Sequence, residues 1–300
     1  MKIYYLKHND IDKRLWDNKT LSAKNGRIYA CSGWLDIASP GWHALVSENY
    51  DFMMPLPVNK KFFIPYIAQV KFTQQIGIFF QKEINDKIIF EFLSSVPKKY
   101  KYIDINLNSE NKITGKNITS KPNHLLNLSP TYNNLKSDFS ENTKRNIKKS
   151  SRFKLILDKH ISVEDALSLK RLNNINSLSD NDLQRLENLI RFAENRFLVN
   201  IYGVKNETNQ LISVSVFSFY KNRIYIPLIA SSEEGKKTFA SFQIFNTFIT
   251  DYSEKNLILD FEGSALPGVA RFFEGWGAKP ETYYCYKQNN LPLFVRRFKK

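Results

Sequence analysis

The chain of 300 residues contains 42% hydrophobic and 14% aromatic residues and carries a formal net charge of +15. Chains of this length usually form two domains, and this apolar content suffices for a core in each. The same content excludes a disordered chain, and eleven glycines and eleven prolines exclude collagen-like and proline-rich classes. The excess of basic residues suits a partner that carries phosphate groups, but a solvated basic surface would explain it equally.

Cysteine usage and hydropathy indicate a cytoplasmic protein. The two cysteines, Cys31 and Cys285, match no metal-binding or redox spacing and predict buried thiols in a reducing compartment. The first ten residues carry charges where a secretion signal needs its apolar segment. No apolar run reaches the roughly 18 residues of a membrane span. We therefore expect cytoplasmic localisation and no membrane span.

In the first half, the sequence predicts short strands separated by two helices. A strand at 2–6 precedes a helix that begins at Asp10, and Asn85 or Asp86 caps a helix that ends near residue 93. A polar segment with Gly115 and Pro122 predicts a loop over residues 108–123. The predicted strands cover residues 44–48, 51–58, 62–67, 77–80, 101–107 and 124–128.

The second half shows stronger periodicity. Ser162 caps a predicted helix that ends near residue 172, and Asp180 or Asn181 caps a longer one. The predicted strands cover residues 153–157, 197–204, 211–220, 223–230, 257–261 and 282–286, with helices at 241–252 and 267–275. The mixture predicts an α/β fold with mixed sheets. A similar order of elements in both halves suggests two related domains, residues 1–133 and 134–300.

The densest basic segment lies at residues 136–159, which hold eight Lys or Arg and three Asp or Glu, a net charge of +5. On a helix, Lys144, Arg145, Lys148 and Lys149 are spaced three or four apart and would share one face. Such a face suits a phosphate-bearing partner. A solvated linker helix is the alternative interpretation.

Three catalytic templates do not fit. The segment 231–238 resembles a phosphate-binding loop, but Ala230 replaces its first glycine and Lys237 its hydroxyl residue. The glycines at 263, 268, 275 and 277 lack the spacing of a dinucleotide-binding fingerprint. The four histidines have no partner three or four residues away, so no metal site is predicted.

Two segments carry residues that suit ligand chemistry. Gly235, Lys236 and Lys237 precede a predicted helix, where amides, helix dipole and ammonium groups would bind phosphate or pyrophosphate. Glu262 and Ser264 follow a buried strand, and polar groups at a strand's carboxyl end often lie in a ligand crevice. A solvated turn and helix caps are the respective alternatives.

Three parts of the sequence resemble FemAB-like proteins, which are tandem GNAT-fold acyltransferases. The segment DFEGSALPGVARFFEGWGAKPETYY (260–284) resembles their closing segment, and LNLSPTYNNLKSDFSENTKRNIKKSSRFKL (126–155) resembles their domain junction. The stretches GWLDIASPGWHALVSENYDFMMPLP (33–57) and IPYIAQVKFTQQIGIF (64–79) are similar to bacterial GNAT-like members without a known substrate. The resemblance spans nearly the whole chain.

The resemblance implies two tandem GNAT-like domains and an acyl donor in the second. In GNAT folds two central parallel strands splay apart, and the helix after the first receives the donor's pyrophosphate through backbone amides. Here that strand is 223–230, and the loop that follows supplies the implied cofactor-binding residues Ser232, Gly235, Lys236, Lys237 and Thr238. The usual Q/R-x-x-G-x-G/A pattern is met only at Gly235.

The donor implied is acyl-CoA, for example acetyl-CoA, or an aminoacyl-tRNA contacted by the basic segment. Fem-type enzymes transfer an aminoacyl group to an amine on a peptidoglycan precursor, which they hold in the first domain and the interdomain cleft. The corresponding acceptor-binding candidates are Trp34, Asp36, Trp42, Gln69, Gln74 and Gln75. Glu262 would serve as the base, and Ser264, Tyr225 or Tyr283 would donate a hydrogen bond to the oxyanion or leaving group. A non-catalytic binding module with a degraded donor site is the alternative.

Overall fold

The computed structural model describes residues 1–173, 178–262 and 267–292. Contacts between residues divide the chain into two compact units. The first unit comprises Met1–Pro122 and the segment that starts at Thr282, and the second comprises Asn123–Glu281. The division into domains 1–133 and 134–300 stays a prediction.

The first part of the chain, up to residue 106, contains seven strands and three α-helices. The strands are β1 (Ile3–Leu6), β2 (His43–Ser47), β3 (Phe52–Leu56), β4 (Val58–Lys61), β5 (Ile64–Ala68), β6 (Phe79–Phe80) and β7 (Tyr102–Asn106). The helices are α1 (Lys13–Ser22), α2 (Ser32–Ala38) and α3 (Asp86–Ser94).

The described remainder alternates strands and helices. The strands are β8 (Ile118–Asn127), β9 (Ile156–Asp158), β10 (Val199–Lys205), β11 (Leu211–Tyr220), β12 (Arg223–Ser231), β13 (Ile258–Asp260) and β14 (Lys279–Asn289). The helices are α4 (Tyr132–Ser137), α5 (Glu141–Ser150), α6 (Val163–Leu172), α7 (Asp180–Arg196), α8 (Glu233–Lys237), α9 (Ala240–Tyr252) and α10 (Pro267–Glu274).

The first unit contains two groups of paired strands. One is the antiparallel sheet β1-β2-β3-β6. In the other, β4 and β5 form an antiparallel hairpin, β5 runs parallel to β7, and β7 pairs antiparallel with β14. Trp16 and Trp42 are fully buried, with ring centroids 4.8 Å apart, and anchor the core against the four-stranded sheet.

In the second unit the strands follow the order β8-β13-β12-β11-β10-β9. All neighbours are antiparallel except β12 and β13, which are parallel. The apolar face of α9 covers this sheet, and Phe248 of α9 stacks on Phe217 of β11 with ring centroids 3.6 Å apart. Ile224 of β12 and Leu259 of β13 belong to the same buried core, so the parallel pair is packed beneath α9.

The mixed α/β architecture is confirmed, and several element bounds are corrected. Asn85, one of the two predicted caps, caps α3. The first α-helix begins at Lys13, capped by Asp12, rather than at Asp10, and Ser179 rather than Asp180 or Asn181 caps α7. The predicted loop is wrong for residues 118–123, which belong to β8. Four residues there expose their side chains, so no apolar alternation marks the strand. The last strand begins earlier than predicted, at Lys279.

Within the described ranges, no helix has both the length and the apolar composition needed to cross a membrane.

Candidate active site

The central feature of the second unit is a parallel strand pair that is joined only at its beginning. Arg223, Ile224 and Tyr225 of β12 pair with Ile258, Leu259 and Asp260 of β13. Strand β13 ends at Asp260, whereas β12 continues to Ser231. Among the described residues, the pairing of the two strands therefore ends at Tyr225, and β12 continues past the carboxyl end of β13.

A β-bulge in β12 follows directly after Tyr225, the last residue of β12 that pairs with β13. Across the β11–β12 ladder, Val216 pairs with Leu228 and Ser218 with Tyr225, so Ile226 and Pro227 together oppose the single residue Phe217. Bulges bend a strand, and they tolerate proline, which lacks an N–H group for the ladder. Pro227 consequently offers no main-chain N–H donor just beyond the end of the β12–β13 pairing.

A buried ion cluster fixes the end of β13. Asp260 is fully buried, and its Oδ2 accepts from Arg223 Nη1 at 2.7 Å. Arg223 Nη2 also lies 3.4 Å from Glu281 Oε1. Burial disfavours the charge of Arg223, but the attraction of Asp260 and Glu281 outweighs it and raises the pKa of Arg223 above its usual value. The cluster thus ties the first residue of β12 to the last residue of β13.

Glu262 is held directly by this cluster. Its backbone N–H donates to Asp260 Oδ1 at 3.1 Å, and its φ of 48° lies in the left-handed region that favours glycine. Its side chain is half-buried. Asp260 therefore stabilises an unusual backbone conformation that places a carboxylate just beyond the parallel pair. Ser264, the predicted hydroxyl partner, lies outside the described residues.

The two tyrosine candidates are buried in different units. Tyr225 is 1% exposed and pairs with Asp260 in the sheet. Tyr283 lies on β14 in the first unit. Burial, together with the neighbouring Cys285, raises the pKa of Tyr283 to about 12, so the phenol stays protonated and can act as a donor at neutral pH.

Sequence reasoning missed two residues that flank the end of β13. Asn123 Nδ2 donates to Asp260 Oδ1 at 2.8 Å, and His124 Nε2 lies 3.2 Å from Glu274 Oε1. The backbone carbonyl of His124 accepts from Phe261 N–H at 3.1 Å. The spacing of histidines along the chain tests for a metal site, but it does not reveal which strands pair. Antiparallel pairing of β8 with β13 brings Asn123 and His124 to the site.

The predicted cofactor loop forms the short helix α8 and the turn after it. Ser232 caps the helix, and its Oγ accepts from Gly235 N–H at 3.0 Å. The amides of Lys236 and Thr238 donate to the carbonyls of Ser232 and Glu234. Lys236 Nζ lies 2.5 Å from Glu233 Oε1, and Lys237 is exposed. The sequence suggested exposed amides here, whereas the amides of Gly235, Lys236 and Thr238 donate hydrogen bonds within the turn.

Gly235 has a packing role that the sequence did not reveal. A Cβ at this position would lie 2.2 Å from the carbonyl oxygen of Ile212 in β11. We expect Gly235→Ala to lower the free energy of unfolding by about 3 kcal/mol or more, because backbone must move to relieve the clash. Chemical denaturation measures the loss. The control is Gly268→Ala in α10, where nothing lies within 4 Å of the added Cβ, and which should be neutral or slightly stabilising. Equal stability of the two variants would contradict the packing role.

The predicted basic helix is α5, capped by Ser140, whose Oγ accepts from Thr143 N–H. Thr143, Asn146 and Ser150 form its buried side. The four candidate cations lie on the remaining surface: Lys144 beside Glu141, Arg145 beside Asn142, exposed Lys148, and Lys149, whose Nζ lies 5.1 Å from the Phe239 ring centroid. The helical interpretation of this segment is correct.

An open cavity of about 400 Å³ joins the basic segment to the α8 turn. Arg152 and Lys154 line it from the end of the basic segment, and Glu234 and Thr238 line it from α8 and the residue after it. Lys149, through its contact with Phe239, lies beside the same turn. The end of the basic segment and the predicted cofactor turn, far apart in sequence, therefore lie side by side in the second unit, with Glu207 also lining the cavity between them.

Four acceptor-binding candidates share one polar network in the first unit. Trp34 Nε1 donates to Thr73 Oγ1 at 3.1 Å, and Gln69 Nε2 donates to the carbonyl oxygen of the same Thr73. Gln75 Nε2 donates to Gln74 Oε1 at 2.9 Å. These bonds order the segment 69–75 against the carboxyl end of β7, where Asn106 donates to the Gln74 carbonyl.

The other two acceptor candidates form a separate group. Trp42 Nε1 donates to Asp36 Oδ1 at 2.9 Å, and Lys13 Nζ pairs with Asp36 Oδ2 at 2.8 Å. His8 Nε2 lies 3.8 Å from the same carboxylate. Lys13 thus neutralises Asp36, and Trp42 is a fully buried core residue.

Several solved structures share this fold over nearly the whole chain. FemX matches with a TM-score of 0.66 and 14% identity over 99% of both chains. L-PGS from Bacillus licheniformis matches at 0.54 and 13%, over 96% of this chain and 95% of the other. A tandem GNAT protein from the clavulanic acid biosynthesis pathway matches at 0.54 and 10%, over 97% and 99%. No family model and no curated protein matches the sequence.

These likenesses cover nearly the whole chain and show its fold. The chain has a FemAB-like architecture of two tandem GNAT-like domains. The resemblance inferred from the residues is thereby confirmed at the level of fold. At 10–14% identity the likeness carries no substrate, donor or activity to this chain.

Proposed function

We propose that the protein is an N-acyltransferase that moves an aminoacyl group from an aminoacyl-tRNA to an amine acceptor. The observation that carries this proposal is the parallel pair β12–β13, whose pairing ends at Asp260 while β12 continues. There Asp260, which pairs with Arg223, also holds Glu262 just beyond the strand. The carboxyl end of a parallel strand with a positioned carboxylate suits an acyl donor and an amine that must lose a proton.

Two observations favour a tRNA donor over coenzyme A. The amides of the α8 turn, which the GNAT resemblance assigns to pyrophosphate, donate within the turn, including Gly235 N–H to Ser232 Oγ. In addition, Lys144, Arg145, Lys148 and Lys149 lie off the buried side of α5 and form an extended basic surface. Such a surface suits the phosphates of a polynucleotide better than one compact pyrophosphate.

In the proposed reaction the acceptor nitrogen attacks the ester carbonyl carbon of the aminoacyl-tRNA. A C–N bond forms, the C–O bond to the terminal ribose breaks, and the ribose hydroxyl leaves with a proton. Glu262 takes the proton released by the attacking amine, directly or through water. Tyr225 and Tyr283 stay candidates for the oxyanion donor. Because the resemblance suggests a cell-wall precursor as acceptor, we place its contacts at the half-buried Gln69 and Gln74. Trp34 and Gln75 are buried and hold this segment through Thr73 and Gln74.

The donor assignment predicts binding that depends on the α5 cations. Replacing Lys144, Arg145, Lys148 and Lys149 together by glutamine should weaken tRNA binding and flatten its dependence on salt, because phosphate contacts release counterions. Unfolding should change little, since these side chains lie off the buried side of α5. The measurement is a titration with tRNA and with coenzyme A at two salt concentrations.

The matched control removes the same four charges from the first unit by replacing Lys2, Lys24, Lys112 and Lys116 with glutamine. It should bind tRNA nearly as the wild type does. If both quadruple variants lost tRNA affinity equally, the effect would be due to net charge alone. Coenzyme A binding that persists at high salt would favour a coenzyme A donor.

The second candidate function is a binding module without catalysis. The residues Ser232 and Lys237, which depart from the GNAT pyrophosphate-loop pattern, support it, and tRNA binding without aminoacyl transfer would favour it.

A further inference from the structure

The most exposed phenylalanines in the described part of the chain lie at the tip of the β4–β5 hairpin. Lys61 pairs with Ile64, so Phe62 and Phe63 form the two-residue turn. Their side chains are 84% and 89% exposed, whereas most aromatic residues of this unit are buried. Two adjacent phenyl rings therefore project from the end of the hairpin into solvent.

The hairpin does not need phenylalanine at these positions. Both residues have positive φ, 48° for Phe62 and 64° for Phe63, as in a type I′ turn. Asn-Gly suits that turn best, and bulky residues in the left-handed region cost conformational energy. Exposed rings that strain the turn and contribute nothing to the core indicate a surface that contacts a membrane or another molecule.

The charged residues next to this tip in the sequence are lysines. Lys60 Nζ lies 5.2 Å from the Phe63 ring centroid, and Lys61 Nζ lies 5.6 Å from that of Phe62. Because β5 and β7 are parallel, the segment before β7 lies at the same end of the sheet. Residues 52–68 and 95–103 contain five lysines and no Asp or Glu, and all five lysines are exposed.

We propose that this hairpin tip, Lys60–Phe63, binds the surface of an anionic lipid bilayer. A convex tip with two rings can enter the interfacial region, where aromatic side chains are favoured, while the lysines next to them reach the headgroups. Basic residues without nearby acids match the negative potential of such a surface. A bilayer therefore complements the apolar tip and its basic surroundings simultaneously.

The test compares binding of the full chain to phosphatidylcholine vesicles and to vesicles that also contain phosphatidylglycerol. The wild type should bind the anionic vesicles and lose affinity with salt. Phe62→Asn combined with Phe63→Gly should bind them about tenfold more weakly or worse, because two apolar side chains no longer enter the interface. The same variant should unfold at an equal or higher denaturant concentration, since Asn-Gly fits the turn.

Lys60→Gln combined with Lys61→Gln should weaken binding roughly fivefold per lysine and reduce its salt dependence. The control Leu172→Asn changes another side chain that is 84% exposed, at the end of α6, and should bind as the wild type does. Phe62→Trp keeps an aromatic tip and should show a blue-shifted emission with anionic vesicles.

Two outcomes would overturn the proposal. In the first, the wild type binds anionic vesicles no more tightly than phosphatidylcholine vesicles. In the second, the Phe62→Asn, Phe63→Gly variant binds anionic vesicles as tightly as the wild type does. If the wild type instead forms a dimer in sedimentation that this variant abolishes, and binds no vesicles, the tip is a contact between two copies of the chain. That result would also replace the membrane proposal.

Discussion

Replacing Asp260 with asparagine should lower the free energy of unfolding by about 3 kcal/mol, because it leaves Arg223 charged and without its closest carboxylate in a buried site. Asparagine retains an oxygen that can accept from Asn123 and from Glu262 N–H, so the loss reports chiefly on the ion pair. Urea denaturation followed by tryptophan fluorescence measures it.

Two further variants separate the ion pair from a general loss of charge. Adding Arg223→Met to Asp260→Asn removes the uncompensated cation and should recover most of the lost stability. Glu207→Gln breaks an exposed pair with Lys154, in which the atoms lie 3.8 Å apart, and should change stability little. Unfolding of Asp260→Asn at the wild-type urea concentration would contradict the structural importance of this pair.

Glu262→Gln should reduce the rate of aminoacyl transfer by about 10²–10⁴-fold, which is the usual contribution of a general base. Binding of the donor and the stability of the fold should persist, because the side chain keeps its size and the backbone N–H still donates to Asp260. The measurement combines single-turnover transfer from a charged tRNA to an added amine with a tRNA titration.

Glu254→Gln is the matched control, since Glu254 is also a glutamate with a left-handed backbone, at φ 61°, and precedes β13 rather than following it. It should transfer at the wild-type rate. An unchanged rate in Glu262→Gln would exclude Glu262 as the base. Loss of tRNA binding together with the rate would instead assign Glu262 to the donor contact.

The local elements were predictable where a cap or an apolar stripe marks them. Asn85 caps α3 and Ser162 caps α6 as predicted, because capping depends on side chains within a few residues. The beginning of β8 was not predictable: its exposed polar residues give no periodic signal, and its strand character depends on pairing. The same limit hid Asn123 and His124, which reach the site through the pairing of β8 with β13.

The sequence by itself determined the α/β class, the basic helix α5 and the FemAB-like resemblance, because composition, periodicity and local residue order carry these properties. Only the tertiary structure decided what the charged residues contact. Arg223 and Asp260 are 37 positions apart and pair because their strands are neighbours in the sheet. Gly235 is required by the close approach of a carbonyl of another strand, 23 residues earlier. Contacts between distant residues depend on how strands pair, and local spacing in the sequence does not determine that pairing.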